Sequence, residues 1–498
     1  MPPTGYLSAN GIEDCLQYLV ATYPSICQLI ELPETSVEGR TCRAIKIANG
    51  TGTNRRGVLF IGGVHAREIV NPDLLVTLAF NLCRSYTLGT GLDFGGKSYD
   101  SITIQLIVNA LDIFIFPLVN PDGRVHVCKD ESLGGDPMWR KNRRENFGSN
   151  CFGVDLNRNY DFLWYFNLNA SSNPCHYSQY KGSSTFTEPE TRNVRSMLDN
   201  FPNIGYMIDV HSYGQWILHP WSDDENQSTD PTKNFMVPNW NYVRGTLSDT
   251  IYKEYISAED ESWFVEAGND MRDAIAMVRG SSYTVKQAAL IYSVTGQGVS
   301  GTSKDYAYSR HIVNSANRKV YAYTMETGTE FQPTYTNALD VIAEVSAGLI
   351  QFCLSSLCLV EETVSNTDLV DFLDDLRAFR DNVMMRTEAG NRYNKLLRKH
   401  SIELMRLIIG NEYLRDQVLK VLRRVTEVVR SREDQKPKVF GPGLIEEIDK
   451  LSDKFATKSS PTLKQSIAGL NYDMELFRGN TVEQGLELAS AKRKGGRA

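Results

Sequence analysis

Val58-Leu59-Phe60-Ile61-Gly62-Gly63-Val64-His65-Ala66-Arg67-Glu68-Ile69-Val70-Asn71-Pro72-Asp73 is the stretch whose reading decides the fold. Val58–Gly63 is a short apolar run ending in Gly-Gly, the pattern of a buried strand. Asn71-Pro72-Asp73 then opens a helix that reaches about Tyr86, with Asn71 as the cap and Pro72 in the first turn. A strand followed directly by a helix is one beat of an α/β rhythm, and the beat repeats along residues 1–350. Asp112–Val119 is another apolar run, stopped by Asn120-Pro121-Asp122-Gly123, and Tyr206–Val210 and Val320–Met325 are two more strands. Residues 222–239 and 293–304 are polar or rich in Gly, Ser and Thr, hence loops. An α/β sheet is the expected fold class.

Beyond about Val360 the rhythm turns helical. Leu369, Phe372, Leu373, Leu376, Phe379 and Val383 recur at helix spacing behind Thr367 as a cap. Further helices are expected over Arg392–Ile409, from Leu414 to about Val429 and over Leu444–Phe455, with a linker from Lys436 to Gly443 and a solvated basic tail at Lys492–Arg497. Residues 361–498 hold 25 Lys and Arg against 22 Asp and Glu, while the whole chain carries -7, so a mildly basic segment follows an acidic body.

The 498 residues leave room for two or three cores. With 41% hydrophobic and 23% charged residues, whole-chain disorder is excluded. An isoelectric point near 5.7 argues against a nucleic-acid partner. No run of about 18 apolar residues occurs, so no membrane span is expected. Nine cysteines in so long a chain do not make a disulfide-stapled miniprotein. Met1–Gly5 has neither a basic start nor an apolar run. The chain is therefore expected to be cytoplasmic if complete, and secreted if a leader was removed.

Four places carry chemistry. His65-Ala66-Arg67-Glu68 follows the first buried strand, where ligands of open α/β sheets bind, and His and Glu three apart there can reach one cation. A surface His beside a solvated Glu has the same spelling. Asp209-Val210-His211-Ser212-Tyr213 ends another strand and can supply a third ligand. Two nitrogens, one carboxylate and an open position make a catalytic zinc site rather than a structural one. A satisfied core histidine remains the alternative, with Asp209 either orienting the imidazole or capping a turn. Glu326 ends the strand Val320–Met325, where a carboxylate is costly unless solvated or paired, so it marks a cleft; Glu330 is the second choice of base. Finally, Trp139–Arg144 is a basic run, and Asn157-Arg158 makes a fork suited to a carboxylate.

Asn120-Pro121-Asp122-Gly123-Arg124, the run Asp155–Tyr160, Thr187-Glu188-Pro189-Glu190-Thr191 and Asp209–Tyr213 stand in the order seen in zinc metallocarboxypeptidases of the carboxypeptidase A/B (funnelin) type, and roughly residues 5–350 resemble that family. Tyr23-Pro24-Ser25-Ile26 and Glu38-Gly39-Arg40 agree with it. The resemblance implies a mixed central sheet flanked by helices, followed here by an α-helical domain. It implies one Zn2+ on His65, Glu68 and His211, with Glu326 as general base and Arg140 steadying the oxyanion. Asn157 and Arg158, with Arg67, would clamp the substrate's terminal carboxylate, Ser212 and Tyr213 would line the substrate, and Tyr292 would close over it. Only a chain end carries that carboxylate, so the implied partners are peptide or protein C-termini, and the reaction is exopeptidase hydrolysis.

The residue before the Asp of Asp305-Tyr306-Ala307-Tyr308 falls at the floor of the family's specificity pocket, which makes Lys304 the floor and predicts a preference for acidic C-terminal residues. Cys151 and Cys175 match a disulfide of animal members of the family. Cys358-Leu359-Val360, Leu376–Asp381 and Gly390–Tyr393 resemble the helical CFI-box segment of some bacterial proteins, a bundle that docks on the enzyme or binds a partner. The expected division is 1–355 catalytic domain, 356–435 CFI-box-like helices, and 436–498 linker, short helices and basic tail. The competing functions are an amidase or isopeptidase of the same fold acting on cell-wall or γ-glutamyl peptides, and a non-catalytic peptide-binding module.

Overall fold

The apolar runs lie side by side in one eight-stranded sheet of the computed structural model, which describes residues 5–50, 55–129, 131–357, 359–364, 373–409 and 411–494. In chain order the strands are β1 (Cys27–Glu31), β2 (Arg43–Ile47), β3 (Arg56–Gly62), β4 (Leu111–Phe116), β5 (Ile204–Ser212), β6 (Trp216–His219), β7 (Thr284–Gln287) and β8 (Tyr321–Thr327). In space they run β1-β2-β4-β3-β5-β8-β6-β7. The four central strands β4, β3, β5 and β8 are parallel to one another. Antiparallel pairs β1–β2, β2–β4 and β8–β6 flank them, so the sheet is mixed, as expected.

Every residue of β4 and β5 is buried, which is why these strands are continuous apolar runs rather than alternating ones. The helices covering them in this first unit, residues 1–356, are α1 (Ala9–Thr22), α2 (Val70–Leu88), α3 (Ser101–Ala110), α4 (Pro121–Val127), α5 (Pro189–Asn200), α6 (Ala258–Arg279), α7 (Ser303–Val313) and α8 (Tyr335–Ser355). Successive strand residues face opposite ways. Leu59, Ile61, Phe114, Phe116 and Met207 thus pack with Val194, Met197 and Leu198 of α5 and Ala307 of α7. Phe60, Tyr206 and Tyr323 meet Phe352 of α8 on the other face.

Two details differ from the sequence expectation. Helix α2 begins at Val70, and no side chain caps it. Asn71 is buried, and its Oδ1 accepts from Ser212 Oγ (3.2 Å) and Thr327 Oγ1 (3.0 Å). A buried amide oxygen that serves two hydroxyls is no longer free to cap its helix. Helix α8 is, by length and composition, apolar enough to cross a membrane, because its Leu, Val, Ile, Phe and Cys residues outweigh Asp340 and Glu344. Here 72% of its most apolar window is buried inside the protein, the signature of a core helix.

The second unit, residues 357–498, is helical: α9 (Leu359–Val364), α10 (Leu373–Asn382), α11 (Glu388–Ile409), α12 (Glu412–Arg430), α13 (Pro442–Lys458), α14 (Pro461–Met474) and α15 (Val482–Lys494). Phe379, Ala389, Val428, Phe440, Leu444, Met474, Phe477 and Leu486 share one core. Cys358, Thr367, Leu369 and Phe372, and the tail residues Gly495–Arg497, lie outside the described residues.

Cys151 and Cys175 are paired, closing a loop with a sequence separation of 24 in the irregular chain between α4 and α5. Loop-closure entropy over that length is worth about 3 kcal/mol. The Cys151→Ser/Cys175→Ser variant should lose about that much in urea unfolding, and the wild type should lose the same amount when a reductant is added. An unchanged midpoint in both experiments would contradict the estimate.

Candidate active site

Because β3, β5 and β8 are adjacent and parallel, their carboxyl ends emerge at one edge of the sheet. His65 and Glu68 follow β3, His211 lies near the end of β5, and Glu326 pairs with His211 in register on β8. The chain turns out of β3 at Gly63, whose φ is +63°. A Cβ there would come within 2.8 Å of Leu118 and 3.0 Å of Pro72, so the Gly-Gly at the strand end is sterically required.

His65 Nδ1 is 2.8 Å from Glu68 Oε1, His211 Nδ1 is 3.1 Å from Glu68 Oε2, and the two Nδ1 atoms are 3.0 Å apart. The three side chains are buried, and their donor atoms lie within 4.8 Å of one another. The far ring nitrogens each meet a carboxylate: His65 Nε2 is 3.1 Å from Asp155 Oδ1, and His211 Nε2 is 2.9 Å from Asp209 Oδ2. A carboxylate accepting from Nε2–H leaves the Nδ1 lone pair free, so both imidazoles aim a bare nitrogen at a common point beside a carboxylate oxygen. That donor set fits Zn2+ with three protein ligands and an open position.

Charge is arranged to match. Burial works against the Glu68 carboxylate, but His65 and His211 outweigh it and hold the group well below its usual range. Burial likewise disfavours charged His211, yet Asp209 and Glu68 raise its pKa. Burial pushes the Glu326 carboxyl up to about 7, with Glu68 and Asp209 adding to the effect against His211 and Arg140. A carboxyl that titrates there is suited to taking and giving a proton near neutrality.

His65, Glu68, Arg140 and Glu326 line a cavity of about 430 Å³, together with Asn157, Arg158, Ser212, Tyr213, Ser222, Tyr292, Lys304 and Phe331, and His211 lies behind it against Glu68. Arg140 donates to Asp155 Oδ2 through Nε (3.2 Å) and Nη2 (3.1 Å), with Nη1 3.8 Å from Glu68 Oε1. Burial disfavours its charge, but Asp155 and Glu68 more than compensate. Asn157 Oδ1 accepts from Ser303 N (2.9 Å), which fixes the amide, and Arg158 donates to the carbonyls of Asn157 (2.7 Å) and Asn169 (2.9 Å). Gly301, at φ +73°, packs so closely on this turn that a Cβ would stand 2.3 Å from Arg158 O. Arg67 does not line the cavity directly; its guanidinium stacks on Phe331 at 4.1 Å, and Tyr213 meets the same ring edge-on at 4.8 Å. Ser212 N donates to Glu68 Oε2 (3.1 Å), and its hydroxyl goes to Asn71, so Ser212 braces a ligand as well as lining the cavity. Lys304 is buried, with Nζ donating to Ser222 Oγ (2.9 Å) and to Asp305. Glu330 is exposed and lies on a different cavity with Arg279 and Asp340.

Sequence reasoning gave no role to Asp155, Ser303, Ser222 or Phe331. Asp155 had a signal, since it begins the Asp-Leu-Asn-Arg run; Ser222 and Phe331 come from loops, and Ser303 from a helix start, whose partners the sequence does not encode locally.

Residues 12–344 match the zinc carboxypeptidase family. The carboxypeptidase B of Helicoverpa zea is 29% identical over 315 residues, covering 62% of this chain, and this chain spans only 61% of that protein's length. The carboxypeptidase B of Astacus astacus is 33% identical over 271 residues, 52% of this chain and 81% of that protein. Among solved structures, thrombin activatable fibrinolysis inhibitor has the same fold, with a TM-score of 0.54 at 22% identity over 70% of this chain and 73% of that one.

The Glu326 environment has a measurable consequence in chelator-treated protein. With its folded pKa raised from 4.5 to about 7, the folded state holds a proton that the unfolded chain releases between those values. Stability should therefore fall as pH rises through that window, by at most about 1.4 kcal/mol per pH unit from this group. Urea unfolding at pH 5, 6 and 7 should show a shallower decline for Glu326→Gln than for the wild type; parallel declines would contradict the assignment.

Proposed function

This chain belongs to the zinc carboxypeptidase family, and we propose that it is a zinc-dependent exopeptidase that hydrolyses the last peptide bond of peptides and proteins and prefers acidic C-terminal residues. The observation that carries this reading is the cluster of His65, Glu68 and His211, with His65 and Glu68 opening onto the cavity that Glu326 and Arg140 also line and with Glu326 beside His211 in register.

His65, Glu68 and His211 hold the metal, which when bound supplies Lewis acidity to a water molecule and to the scissile carbonyl. Glu326 takes a proton from the attacking water as its oxygen adds to the carbonyl carbon. The same carboxyl then gives the proton to the departing amine as the C–N bond breaks. Arg140 is held by Asp155 and Glu68 with its guanidinium at the cavity wall, where it stabilises the negative charge that develops on the carbonyl oxygen. Asn157 and Arg158 receive the terminal carboxylate, and Tyr292 covers it.

Lys304 supports the acidic preference. An ammonium has three N–H donors, and Ser222 and Asp305 take two. The third can be offered to a substrate carboxylate, and although burial lowers the Lys304 pKa, Asp305 and Asp223 oppose that shift and favour the ammonium.

The test is release of C-terminal residues from a peptide panel that includes γ-glutamyl and other isopeptide bonds. Release should stop with a zinc chelator, return with Zn2+ and fall about 10²–10⁴-fold in Glu326→Gln. Terminal Glu should leave faster than Phe or Lys, and Lys304→Met should cut the Glu:Phe ratio of kcat/KM at least about tenfold. Faster release of Phe or Lys by the wild type would overturn the preference. Cleavage confined to isopeptide bonds, or zinc binding without any release, would overturn the exopeptidase reading.

A further inference from the structure

The far side of His211 is built more elaborately than holding a ring in place requires. Asp209 Oδ2 takes His211 Nε2 at 2.9 Å and also accepts from the hydroxyl of Ser303. Ser303 is the first residue of α7, the helix whose second residue is Lys304, and its backbone N–H is the one that fixes Asn157. Asn157 in turn brings Nδ2 to 3.4 Å from the same His211 Nε2. Asp209, His211 and Ser303 are each almost fully buried, and Asp209 Oδ1 has no hydrogen-bond partner among the described residues. A closed ring of contacts therefore joins a metal ligand, a residue of the carboxylate clamp and the start of the helix that carries the pocket floor.

The arrangement also decides which nitrogen of His211 carries the proton. Asn157 Nδ2 and His211 Nε2–H are both donors, so only Asp209 can satisfy the ring, and it does so solely when the proton sits on Nε2. From this geometry we infer that Asp209 and Ser303 are positioning residues: Ser303 fixes the carboxylate of Asp209, Asp209 fixes His211 as an Nδ1 ligand, and the pair couples metal affinity to the α7 end of the substrate pocket. The inference rests on the zinc reading above and assigns roles to two residues that hold neither metal nor substrate.

The test is zinc affinity of the full chain, measured by competition with a chromophoric chelator, for the wild type, Asp209→Asn, Ser303→Ala and the double variant. Asn keeps the volume of Asp209 but can turn an N–H toward Nε2, which would move the imidazole proton onto the metal-facing nitrogen. We expect Asp209→Asn to bind zinc about 10- to 100-fold more weakly and Ser303→Ala to weaken it less. The double variant should match Asp209→Asn alone, because both residues act along one path. The d–d absorption of the Co2+-substituted protein should shift in Asp209→Asn, which a loss of general stability would not cause. Ser303→Ala should raise KM for a terminal-Glu peptide more than it lowers kcat.

Wild-type zinc affinity in both single variants, or additive losses in the double, would overturn the proposal while leaving the zinc reading intact. A wild type that takes up no zinc would overturn both. If Asp209→Asn does not fold, Ser303→Ala decides alone: weakened zinc binding supports the coupling, and unchanged binding refutes it.

Discussion

Two imidazole nitrogens held 3.0 Å apart, each with its lone pair turned toward the other and toward a buried carboxylate, are the constraint on which the rest of the structure depends. Such crowding calls for positive charge among the three, which Asp209 and Glu68 favour on His211 itself when no cation is bound, and neighbouring groups complete the arrangement. Asp155 and Asp209 hold the protons on the outer nitrogens, Arg140 balances Asp155 and Glu68, and Ser212 and Asn71 brace Glu68 and the strand ends. The raised pKa of Glu326 follows first from burial, with the negative charge of Glu68 and Asp209 adding to it.

The sheet makes this possible by geometry rather than by chemistry. Three adjacent parallel strands deliver three chain segments to one edge, where the cavity opens onto them. Register does the fine work, since the pairing of Glu326 with His211 sets the base beside the ligand before any loop is considered. The substrate-facing groups arrive differently. Arg140, Asn157 and Arg158 sit on chain with little regular structure, anchored by a disulfide, by Gly301 and by side-chain bonds to carbonyls.

That division explains what the sequence revealed and what it hid. Strand ends are local: the apolar runs, the Gly-Gly and the His and Glu after them are visible within a dozen residues, so His65, Glu68, His211 and Glu326 were legible together with the central strands. The start of α2 was misjudged by two residues because the use of Asn71 is settled by two hydroxyls from strands more than 140 positions away. The apolar character of α8 was missed because Asp340, Glu344 and several small residues interrupt what is otherwise a run of Leu, Val, Ile and Phe. Ser303 and Ser222 could not have been singled out, since each matters only through a partner brought near by folding.

His211 and Glu326 stand on strands and His65 and Glu68 just beyond one, whereas Asn157 and Arg158 lie in the segment closed by Cys151–Cys175. The two sets are not independent, because Asp155 of that segment holds His65 and Arg140, and Asn157 reaches His211. Slack introduced by opening the disulfide would therefore be felt at both imidazoles as well as at the clamp: the covalent tie of an irregular loop also keeps the strand ends in order.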